Sequence, residues 1–526
     1  MPVSRWDRAG SVPAVAADGW QLDTVVAPAL LFGTNGIRVA ADGSVWIAQV
    51  QGNRLSAWSP SSGELRTVAG GRGGLPGPDD VAFGRDGTAY VTQPHAHRVS
   101  AVGPGGDIRV LLDDVPEANG VTVAPDGRLF VDECRPDGRL LEVGTDAAGR
   151  CRVIRGGIGM ANALEMGPDG RLFLPEILSD RVLAVDPDTA ESAVALDGVL
   201  VPSAVKFDPD GHLVVAESAT GRLLCVNAEH GGRDVLASTE PGIDNFSFDG
   251  RGGVFVSNFV TGSLRHVDLA TGVVREDHPP ALLGPCSVSL RPDGRLLVAD
   301  WLSVVEVAPN GELRHIAQVP LDFRFTVVGA ADDGSGTTVL TADGELWRRE
   351  GDGAFVAVAT GGWRVDALGT SRSRPGGDPA PIAARPGGEV RRIDGGRFGG
   401  PVAETDLETV TALAGDGNVV AACDRARGQV ALVGAAHRQL WDGFADPTGV
   451  AVSAGAVFVA EAGTGRIWRL DADGSGRQIV GRHFAFGGPV HGEALRAGRP
   501  SVCADGMGGV LVASDGDGSV HRLRPT

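Results

Sequence analysis

Lysine is almost absent from this 526-residue sequence, and positive charge is outnumbered. Lys206 is the only lysine, so a Schiff-base mechanism has no other lysine to use. Lys and Arg together number 47 against 66 Asp and Glu, which gives a net charge of −19. Because an acidic surface repels the phosphate backbone, we expect no nucleic-acid partner.

Long hydrophobic runs are also missing. No run approaches the roughly eighteen residues that a membrane helix needs, so we expect no membrane partner. The N-terminal segment MPVSRWDRAGSVPAVAADGW has no sustained apolar stretch of the kind found in a signal peptide. The six cysteines form no Cys-x-x-Cys pair, which favours free thiols in a cytoplasmic protein.

The composition is poor for long helices. The chain has 79 Gly and 32 Pro, and an interior Gly costs about 1 kcal/mol against Ala in a helix. Hydrophobic residues make up 42% of the chain, which is enough for a core. The composition therefore predicts an all-β fold of many short strands joined by tight turns.

The sequence does contain an internal repeat of about forty residues. EANGVTVAPDGRLFVDECRPDGRLLEV, from Glu117, is similar to VPSAVKFDPDGHLVVAESATGRLLCVNAEH, from Val201. Each repeat holds four short alternating segments, a to d, and the Asp-Gly between a and b is a favoured hairpin turn. Four strands at this spacing are typical of a β-propeller blade.

We count about twelve such repeats. Since rings usually have roughly four to eight blades, two six-bladed propellers are favoured, with one large ring or seven plus five blades as alternatives. The expected division is an N-terminal tail at 1–19, a first propeller at 20–281 and a degenerate second propeller at 282–526. The strand at 20–28 has an alternative place, where it would complete the last blade. An Arg/Gly/Pro-rich stretch, Thr370–Gly388, is predicted to be a long loop.

The residue that starts strand a, seven positions before the Asp-Gly turn in most repeats, marks the mouth of the central channel. In the first half these residues carry amides, carboxylates or a hydroxyl: Asn35, Asp79, Asn119, Asn162, Ser203 and Asp244. In the second half they are mostly hydroxyls: Thr326, Thr409, Thr448 and Ser501. Converging Asn and Asp oxygens suit a hard cation such as Ca²⁺, whereas a single Asn-Gly often only satisfies a turn. We therefore expect a polar binding site in the first half and a structural role, without metal, for the second.

The repeats resemble the calcium-dependent six-bladed propellers of the SMP-30/gluconolactonase and paraoxonase type, with strictosidine-synthase-like proteins as relatives. The Asn-Gly entry of EANGVTVAPDGRLFVDE and the Asp-Asn entry of PGIDNFSFDGRGGVFVSN carry the resemblance, which covers roughly residues 30–320. It implies a divalent cation, with Ca²⁺ favoured, on four residues: Asp79, Asn162, Ser203 and Asp244. Ser203 departs from the family's Asn, and Asp79 is shorter than the family's Glu.

Three further residues are expected to contact substrate beside the cation: Asn35, Asn119 and Asn245. For catalysis, His95 and His97 of PHAHRV lie in the b–c loop of the second repeat, and His is suited to activate water near neutral pH. An exposed loop pair is the alternative. Glu176, at the end of a strand b, is a further catalytic candidate, although an acidic residue there often bonds neighbouring backbone.

The last repeat, FGGPVHGEALRAGRPSVCADGMGGVLVASDGDGSVHRL, resembles the NHL repeat, which is used mainly for binding, and virginiamycin-B-lyase-like propellers have similar blades. The main prediction is a metal-dependent hydrolase of a lactone or cyclic ester, with a small-molecule substrate. The alternatives are a lyase or cyclase acting on a natural product, and a non-catalytic NHL-type scaffold. The sequence has no G-x-S-x-G or H-E-x-x-H motif, which argues against a serine-hydrolase triad and a zinc-protease site.

Overall fold

The computed structural model describes residues 12–70, 75–146, 149–227, 232–319, 322, 326–358, 364–372, 379–417, 419–434, 437–486 and 501–526. Residues 1–11 of the predicted tail and 487–500 of the NHL-like segment lie outside this set. The chain divides into two compact units: residues 30–280, and residues 281–526 together with the N-terminal residues up to Ala29. They are named here the 30–280 unit and the 281–526 unit.

The N-terminal strands β1 (Val15–Ala16) and β2 (Trp20–Val26) belong to the 281–526 unit. The described residues of the 30–280 unit form six antiparallel sheets, each built from four consecutive strands that we label a to d. The first three sheets contain β3 (Thr34–Val39), β4 (Val45–Gln49), β5 (Arg54–Trp58), β6 (Leu65–Gly70); β7 (Val81–Phe83), β8 (Ala89–Gln93), β9 (Arg98–Val102), β10 (Ile108–Asp113); and β11 (Ala118–Val123), β12 (Leu129–Glu133), β13 (Gly138–Val143), β14 (Cys151–Ile158).

The fourth to sixth sheets continue the pattern. They contain β15 (Glu165–Met166), β16 (Leu172–Glu176), β17 (Arg181–Val185), β18 (Ser192–Asp197); β19 (Pro202–Phe207), β20 (Leu213–Glu217), β21 (Arg222–Asn227), β22 (Gly232–Ser238); and β23 (Ile243–Phe248), β24 (Gly253–Asn258), β25 (Leu264–Asp268), β26 (Val274–His278). Single turns of 3-10 helix, Pro94–Ala96 and Ile177–Ser179, follow strand b in the second and fourth sheets.

The sequence explains this strand order. Every residue of β16 is buried, whereas most of β18 is exposed, as expected of an inner strand b rich in Leu and Phe and an outer strand d rich in Ser, Ala and Asp. The a–b hairpins turn at Asp-Gly, and Gly127, at a φ of 92°, shows why the second residue is glycine.

The six sheets of the 30–280 unit close on themselves. Their a strands contact one another in order, and β23 of the sixth sheet contacts β3 of the first. Ser257 Oγ donates a hydrogen bond to the carbonyl of Asn35 at 2.6 Å across this last junction. Apolar cores fill the spaces between sheets, and one of them contains Phe130 of the third sheet and Leu172 of the fourth. The unit is thus a multi-blade β-propeller with strand a innermost.

The 281–526 unit repeats this plan with less regular sheets. Its strands are β27 (Pro285–Leu290), β28 (Leu296–Asp300), β29 (Ser303–Val307), β30 (Leu313–Gln318); β31 (Val327–Asp332), β32 (Gly336–Thr341), β33 (Leu346–Glu350), β34 (Val356–Ala357); β35 (Ala367–Arg372), β36 (Pro379–Ala384), β37 (Glu389–Asp394), β38 (Arg397–Glu404), β39 (Ala412–Asp416), β40 (Val419–Asp424), β41 (Gln429–Gly434), β42 (His437–Trp441); β43 (Pro447–Ser453), β44 (Ala456–Glu461), β45 (Arg466–Asp471), β46 (Arg477–Arg482); and β47 (Ser501–Ala504), β48 (Val510–Ser514), β49 (Ser519–Pro525). β35 and β39 pair in parallel and join two four-stranded groups into one eight-stranded sheet.

Both N-terminal strands complete sheets made by the C-terminal part of the chain. β2 pairs with β49, from Trp20 opposite Pro525 to Val26 opposite Val520, and so becomes the fourth strand of the sheet of β47–β49. β1 adds to the edge of β46. The strand at 20–28 therefore occupies the second of the two places considered for it, which covers a sheet edge.

The expectation of a long loop at Thr370–Gly388 was wrong. The first residues of the stretch belong to β35, and Pro379–Ala384 forms β36, which pairs with β35 antiparallel. Pro379 and Pro381 are thus part of β36, and 373–378 lies outside the described residues. None of the helices in the described ranges is long and apolar enough to cross a membrane.

Candidate functional site

Six side chains lie at the entrances of the a strands of the 30–280 unit. They are the predicted first-half register, and we call them the oxygen ring: Asn35, Asp79, Asn119, Asn162, Ser203 and Asp244. All except the half-buried Asn162 are more than nine-tenths buried. The structure therefore places all four expected metal ligands, and two of the three expected substrate contacts, at equivalent positions of the six sheets.

Carboxyl groups crowd this ring. Burial raises the pKa of Asp79 well above its usual value, and the charges of Asp244 and Asp80 raise it further. Burial and the charge of Asp80 raise the pKa of Asp244 to about 8. Burial likewise raises the pKa of Asp132 to about 7, with the charges of Asp80 and Glu133 adding to it. These carboxyls therefore keep their protons to a higher pH than exposed carboxyls do, and a bound cation would displace those protons.

Three buried oxygens in this region accept no hydrogen bond from any described residue. They are Oδ1 of Asn35, Oδ1 of Asn119 and Oδ2 of Asp132. Leaving a buried acceptor without a partner costs about 1–3 kcal/mol, so native structures usually satisfy such atoms. Amide and carboxylate oxygens are the ligands that Ca²⁺ takes in proteins, so the group fits a hard cation.

Asp80 lies beside the ring and is held from three directions. Its Oδ1 accepts the N–H of Val81 at 2.8 Å and the side-chain amide of Asn245 at 3.2 Å. Its Oδ2 accepts the N–H of Val121 at 3.2 Å. Asn245 is fully buried, and its own Oδ1 accepts the N–H of Phe246 at 2.8 Å. We therefore assign Asn245 the role of orienting Asp80, in place of the expected substrate contact.

Two of the expected metal ligands already make hydrogen bonds. Oδ1 of Asn162 accepts the N–H of Ala163 at 2.8 Å, and the hydroxyl of Ser203 donates to the carbonyl of Ile243 at 3.0 Å. Both oxygens keep lone pairs, so both can still bind a cation. Oδ1 of Asn35 and Oδ1 of Asn119 accept no hydrogen bond from a described residue.

The two candidate histidines are exposed in the 3-10 turn after β8. The ring of His95 lies against Gly77, where an added Cβ would come 3.3 Å from it. Burial raises the pKa of Glu117 and the charge of His97 opposes that shift. Glu117 in turn acts on Asp79. No hydrogen bond among the described residues joins His97 to the oxygen ring.

Glu176 is engaged with backbone at the end of β16. One carboxylate oxygen accepts the N–H of Gly159 at 2.9 Å, and the other pairs with Arg181. Gln49, at the same position of the first sheet, accepts the N–H of Phe32 at 2.9 Å. Because the position makes the same backbone contact in both sheets, we assign Glu176 a structural role and not the expected catalytic one.

A layer of charged and polar side chains that the sequence did not reveal lies three residues after the ring positions along the chain. It comprises Arg38, Thr122, Glu165 and Lys206. Oε2 of Glu165 is 2.8 Å from Nη1 of Arg38 and 3.4 Å from Nζ of Lys206. Thr122 donates to the other oxygen of Glu165 at 2.9 Å. Although burial alone would raise the pKa of Glu165, the two cations lower it to about 2.

A bulge in strand a explains why this layer was missed. In a regular strand, residues three apart point to opposite faces. The pairing of β3 with β4 shifts between Thr34 and Ile37, and β11, β19 and β23 shift at the same point. The extra residue brings a ring residue and the third residue after it to one side. Asp80 could have been found from the sequence, because four of the other five repeats of the 30–280 unit have Gly or Ala directly after the ring residue and only the sixth has another polar residue, Asn245.

The hydroxyl register of the second half is displaced in two repeats: Val328 and Thr411, and not Thr326 and Thr409, line a cavity of the 281–526 unit. Thr448 and Ser501 line the same cavity, whereas Thr409 is exposed. For Thr409 the reason is a tighter hairpin, in which Asp416 of the Asp-Gly turn is itself paired in the ladder. Counting seven residues back from that turn therefore overshoots by two.

Comparison with known proteins adds a likeness in fold. No family model matches the chain, and no curated protein matches it. A solved streptogramin B lyase structure is 14% identical, with a TM-score of 0.39 over 53% of this chain and 94% of that one. A catalytically inactive virginiamycin B lyase from Staphylococcus aureus with quinupristin is also 14% identical, with a TM-score of 0.33 over 61% and 96%. At these TM-scores and identities the two likenesses carry no conclusion about the function of this chain.

Proposed function

We propose that the 30–280 unit binds a divalent cation, with Ca²⁺ favoured, and opens the ring of a lactone or other cyclic ester by hydrolysis. The observation that carries this proposal is a set of buried, unpartnered oxygens, on Asn35, Asn119 and Asp132. Beside them, the carboxyls of Asp79 and Asp244 have raised pKa values, as expected of carboxyls built to hold a cation.

The ligand set combines two carboxylates with neutral oxygens: Asp79 and Asp244, then Asn35 and Asn119, with Asn162 and Ser203 completing it. The two carboxylates balance the charge of a divalent ion, and six oxygens match the lower end of calcium coordination, which is about six to eight. When bound, the cation would polarise the ester carbonyl and stabilise the negative charge that develops on its oxygen.

Asp132 is our candidate for the group that takes a proton from water. Its pKa of about 7 is close to neutral pH, where a general base works best. The N–H of Gly120 donates to its Oδ1 at 2.9 Å, which fixes the carboxyl and leaves Oδ2 unpartnered. His95 and His97 are exposed imidazoles in the turn after β8, and we assign them no step of this reaction.

A lyase acting on a cyclic natural product is the second candidate. Elimination requires a base that removes a proton from carbon and does not consume water. Asp132 and Asp244, with pKa values of about 7 and about 8, are buried carboxyls that can accept a proton and return it. This feature of the site favours the second candidate as much as the first.

Turnover of a panel of lactones and cyclic esters in ¹⁸O-labelled water tests the proposal. Hydrolysis places one labelled oxygen in the product, whereas elimination places none. Removing the cation with a chelator should abolish either reaction, and adding Ca²⁺ should restore it. Turnover that continues unchanged with chelator present would contradict the role of the cation.

Asp244→Asn is the decisive variant, with Asp107→Asn as its control. Asp107 is exposed in the c–d turn of the second sheet and carries the same charge. Asp244→Asn should lower turnover by about a hundredfold or more, and the control should leave it unchanged. Ca²⁺ binding that survives in Asp244→Asn would contradict the site. Tight Ca²⁺ binding without turnover of any cyclic ester would instead favour a binding scaffold.

A further inference from the structure

A carboxylate, an imidazole and a thiol meet at the a–b turn of the fifth sheet of the 30–280 unit. Asp208 follows β19, His212 precedes β20, and Cys225 lies on β21. One ligand atom from each lies within 4.8 Å of the other two, and Nδ1 of His212 is 2.9 Å from Oδ2 of Asp208. Across the described ranges, no other three His, Cys, Asp or Glu side chains come together in this way.

The backbone around this cluster is already fixed. Oδ1 of Asp208 accepts the N–H groups of Asp210 at 3.0 Å and His212 at 2.8 Å. The N–H of Asp208 donates to the carbonyl of His212 at 3.0 Å. Cys225 pairs with Val214 in the strand ladder, so the backbone that carries its thiol is held in place. Ligands held on rigid elements lose little freedom when an ion binds.

The same three positions in other sheets show that the combination is specific to the fifth. They hold Gly84, Thr88 and Ala101 in the second sheet, and Gly167, Arg171 and Ala184 in the fourth. In the sixth sheet Asp249 is 2.9 Å from His266 of strand c, and the third position is Gly253. A Cβ on Gly253 would lie 2.3 Å from Nε2 of His266, so that sheet has room for one imidazole only. In the fifth sheet the smaller thiol on strand c leaves room for His212 at the end of the a–b turn.

We propose that Asp208, His212 and Cys225 form a second metal site, which takes Zn²⁺ or a similar transition-metal ion. The thiol, imidazole and carboxylate supply one sulfur, one nitrogen and one oxygen ligand, and water completes a tetrahedron. The sulfur ligand selects zinc-class ions over Ca²⁺, which binds oxygen. The side chain of His212 is 48% exposed, so an ion can reach the cluster from solvent.

This site is separate from the oxygen ring. Ser203 of the ring lies at the start of β19 and Asp208 directly follows its end, so the two sites are at opposite ends of this strand. Binding replaces the S–H bond of Cys225 by a metal–sulfur bond and releases that proton to water. If Nδ1 of His212 carries the imidazole proton, that proton moves to Nε2 and Nδ1 becomes the ligand. The proposal does not depend on any activity of the ring.

Cobalt substitution tests the second site, because a thiolate bound to Co²⁺ gives a charge-transfer band in the near-ultraviolet. The full chain should show this band at one equivalent of Co²⁺, and Zn²⁺ but not Ca²⁺ should remove it. Cys225→Ser should abolish the band. Cys151→Ser, which removes an exposed thiol elsewhere, and Asp244→Asn should both retain it.

His212→Gln provides the second arm, because His212 is exposed and its replacement leaves the core intact. It should weaken Co²⁺ binding at least about tenfold. A folded wild-type chain without the band, a band that persists in Cys225→Ser, or unchanged affinity in His212→Gln would each overturn the proposal. Should Cys225→Ser fail to fold, the last of these results decides.

Discussion

The side-chain amide of Asn245 donates a hydrogen bond to Oδ1 of Asp80 at 3.2 Å, across 165 positions of sequence. The two residues belong to the sixth and second sheets of the 30–280 unit, which are not neighbours in the ring of sheets. Asp80 also accepts the N–H of Val121 from the third sheet. One carboxylate thus ties together three sheets next to the candidate cation site.

Asn245→Ala should lower the free energy of unfolding by about 1–3 kcal/mol, because Oδ1 of Asp80 loses a buried donor. Urea denaturation of the cation-free protein measures this. The control is Asn310→Ala, which removes an exposed turn amide. A loss for Asn245→Ala no greater than that of the control would show that the contact with Asp80 does not stabilise the sheets.

Cation binding at the oxygen ring should release protons and become tighter as pH rises. Near neutral pH Asp244 is protonated in the folded protein, since its pKa is raised to about 8, and burial raises the pKa of Asp79 as well. A cation binds only the ionised carboxylates. Calorimetric titration with Ca²⁺ should give an affinity that rises by up to about tenfold per pH unit for each proton released, then levels above about pH 8.

Titration in buffers with different ionisation heats counts the protons directly. Asp244→Asn should release fewer protons and bind Ca²⁺ more weakly, while the surface variant Asp107→Asn should behave as wild type. An affinity that stays constant from about pH 6 to about pH 9 would mean that these carboxyls do not bind the ion.

Much of this architecture could be predicted from the repeats. The Asp-Gly turns and alternating segments indicate four-stranded sheets, and counting seven residues back from the turn finds five of the six ring residues of the first half. The count works there because Asp-Gly has the same place in hairpins of the same length. In the sixth repeat Asp249-Gly250 comes two residues earlier in the hairpin, so the same count gives Gly242 and not Asp244. The count also fails at Thr409, where the hairpin is shorter. The predicted loop at Thr370–Gly388 is a separate failure, because Pro379–Ala384, although typical of a loop in composition, forms a strand.

The deeper contacts of the site could not be predicted, because they depend on backbone irregularity and on contacts between sheets. The bulge in strand a places Arg38 and Lys206 toward Glu165, against strict alternation. Asn245 carries an amide of the kind that binds substrates or cations, yet this amide donates its hydrogen bond to Asp80 of another sheet. A single sequence does not reveal which polar atoms are already paired.

Glu165→Gln should destabilise the protein more than Lys206→Met. Glu165 faces the half-buried Arg38 and the buried Lys206, so neutralising it leaves both without this carboxylate, which costs up to about 3–5 kcal/mol. Lys206→Met removes one buried charge and leaves the 2.8 Å pair of Arg38 with Glu165 intact. Urea denaturation of the two variants gives the order. A loss in Lys206→Met as large as that in Glu165→Gln would contradict the predicted order, and a larger one would show that the lysine contributes more than the carboxylate.

Without a cation, the 30–280 unit should lose stability as pH rises from about 4 to about 8. The pKa of Asp244 is about 8 in the folded protein against an ordinary 3.8, so the unfolded chain binds fewer protons across this interval. The stability is fully present below the ordinary pKa and is lost as pH rises through the folded one. With chelator present, Asp244→Asn should therefore match wild type near pH 4 and exceed it near pH 8 by about a few kcal/mol. With Ca²⁺ in excess the order at pH 8 should reverse, because only wild type keeps the carboxylate that binds the ion. Thermal unfolding at the two pH values, with chelator and with Ca²⁺, provides the four comparisons. If the difference in stability between wild type and Asp244→Asn is the same in all four, Asp244 is not a buried carboxyl that the cation stabilises.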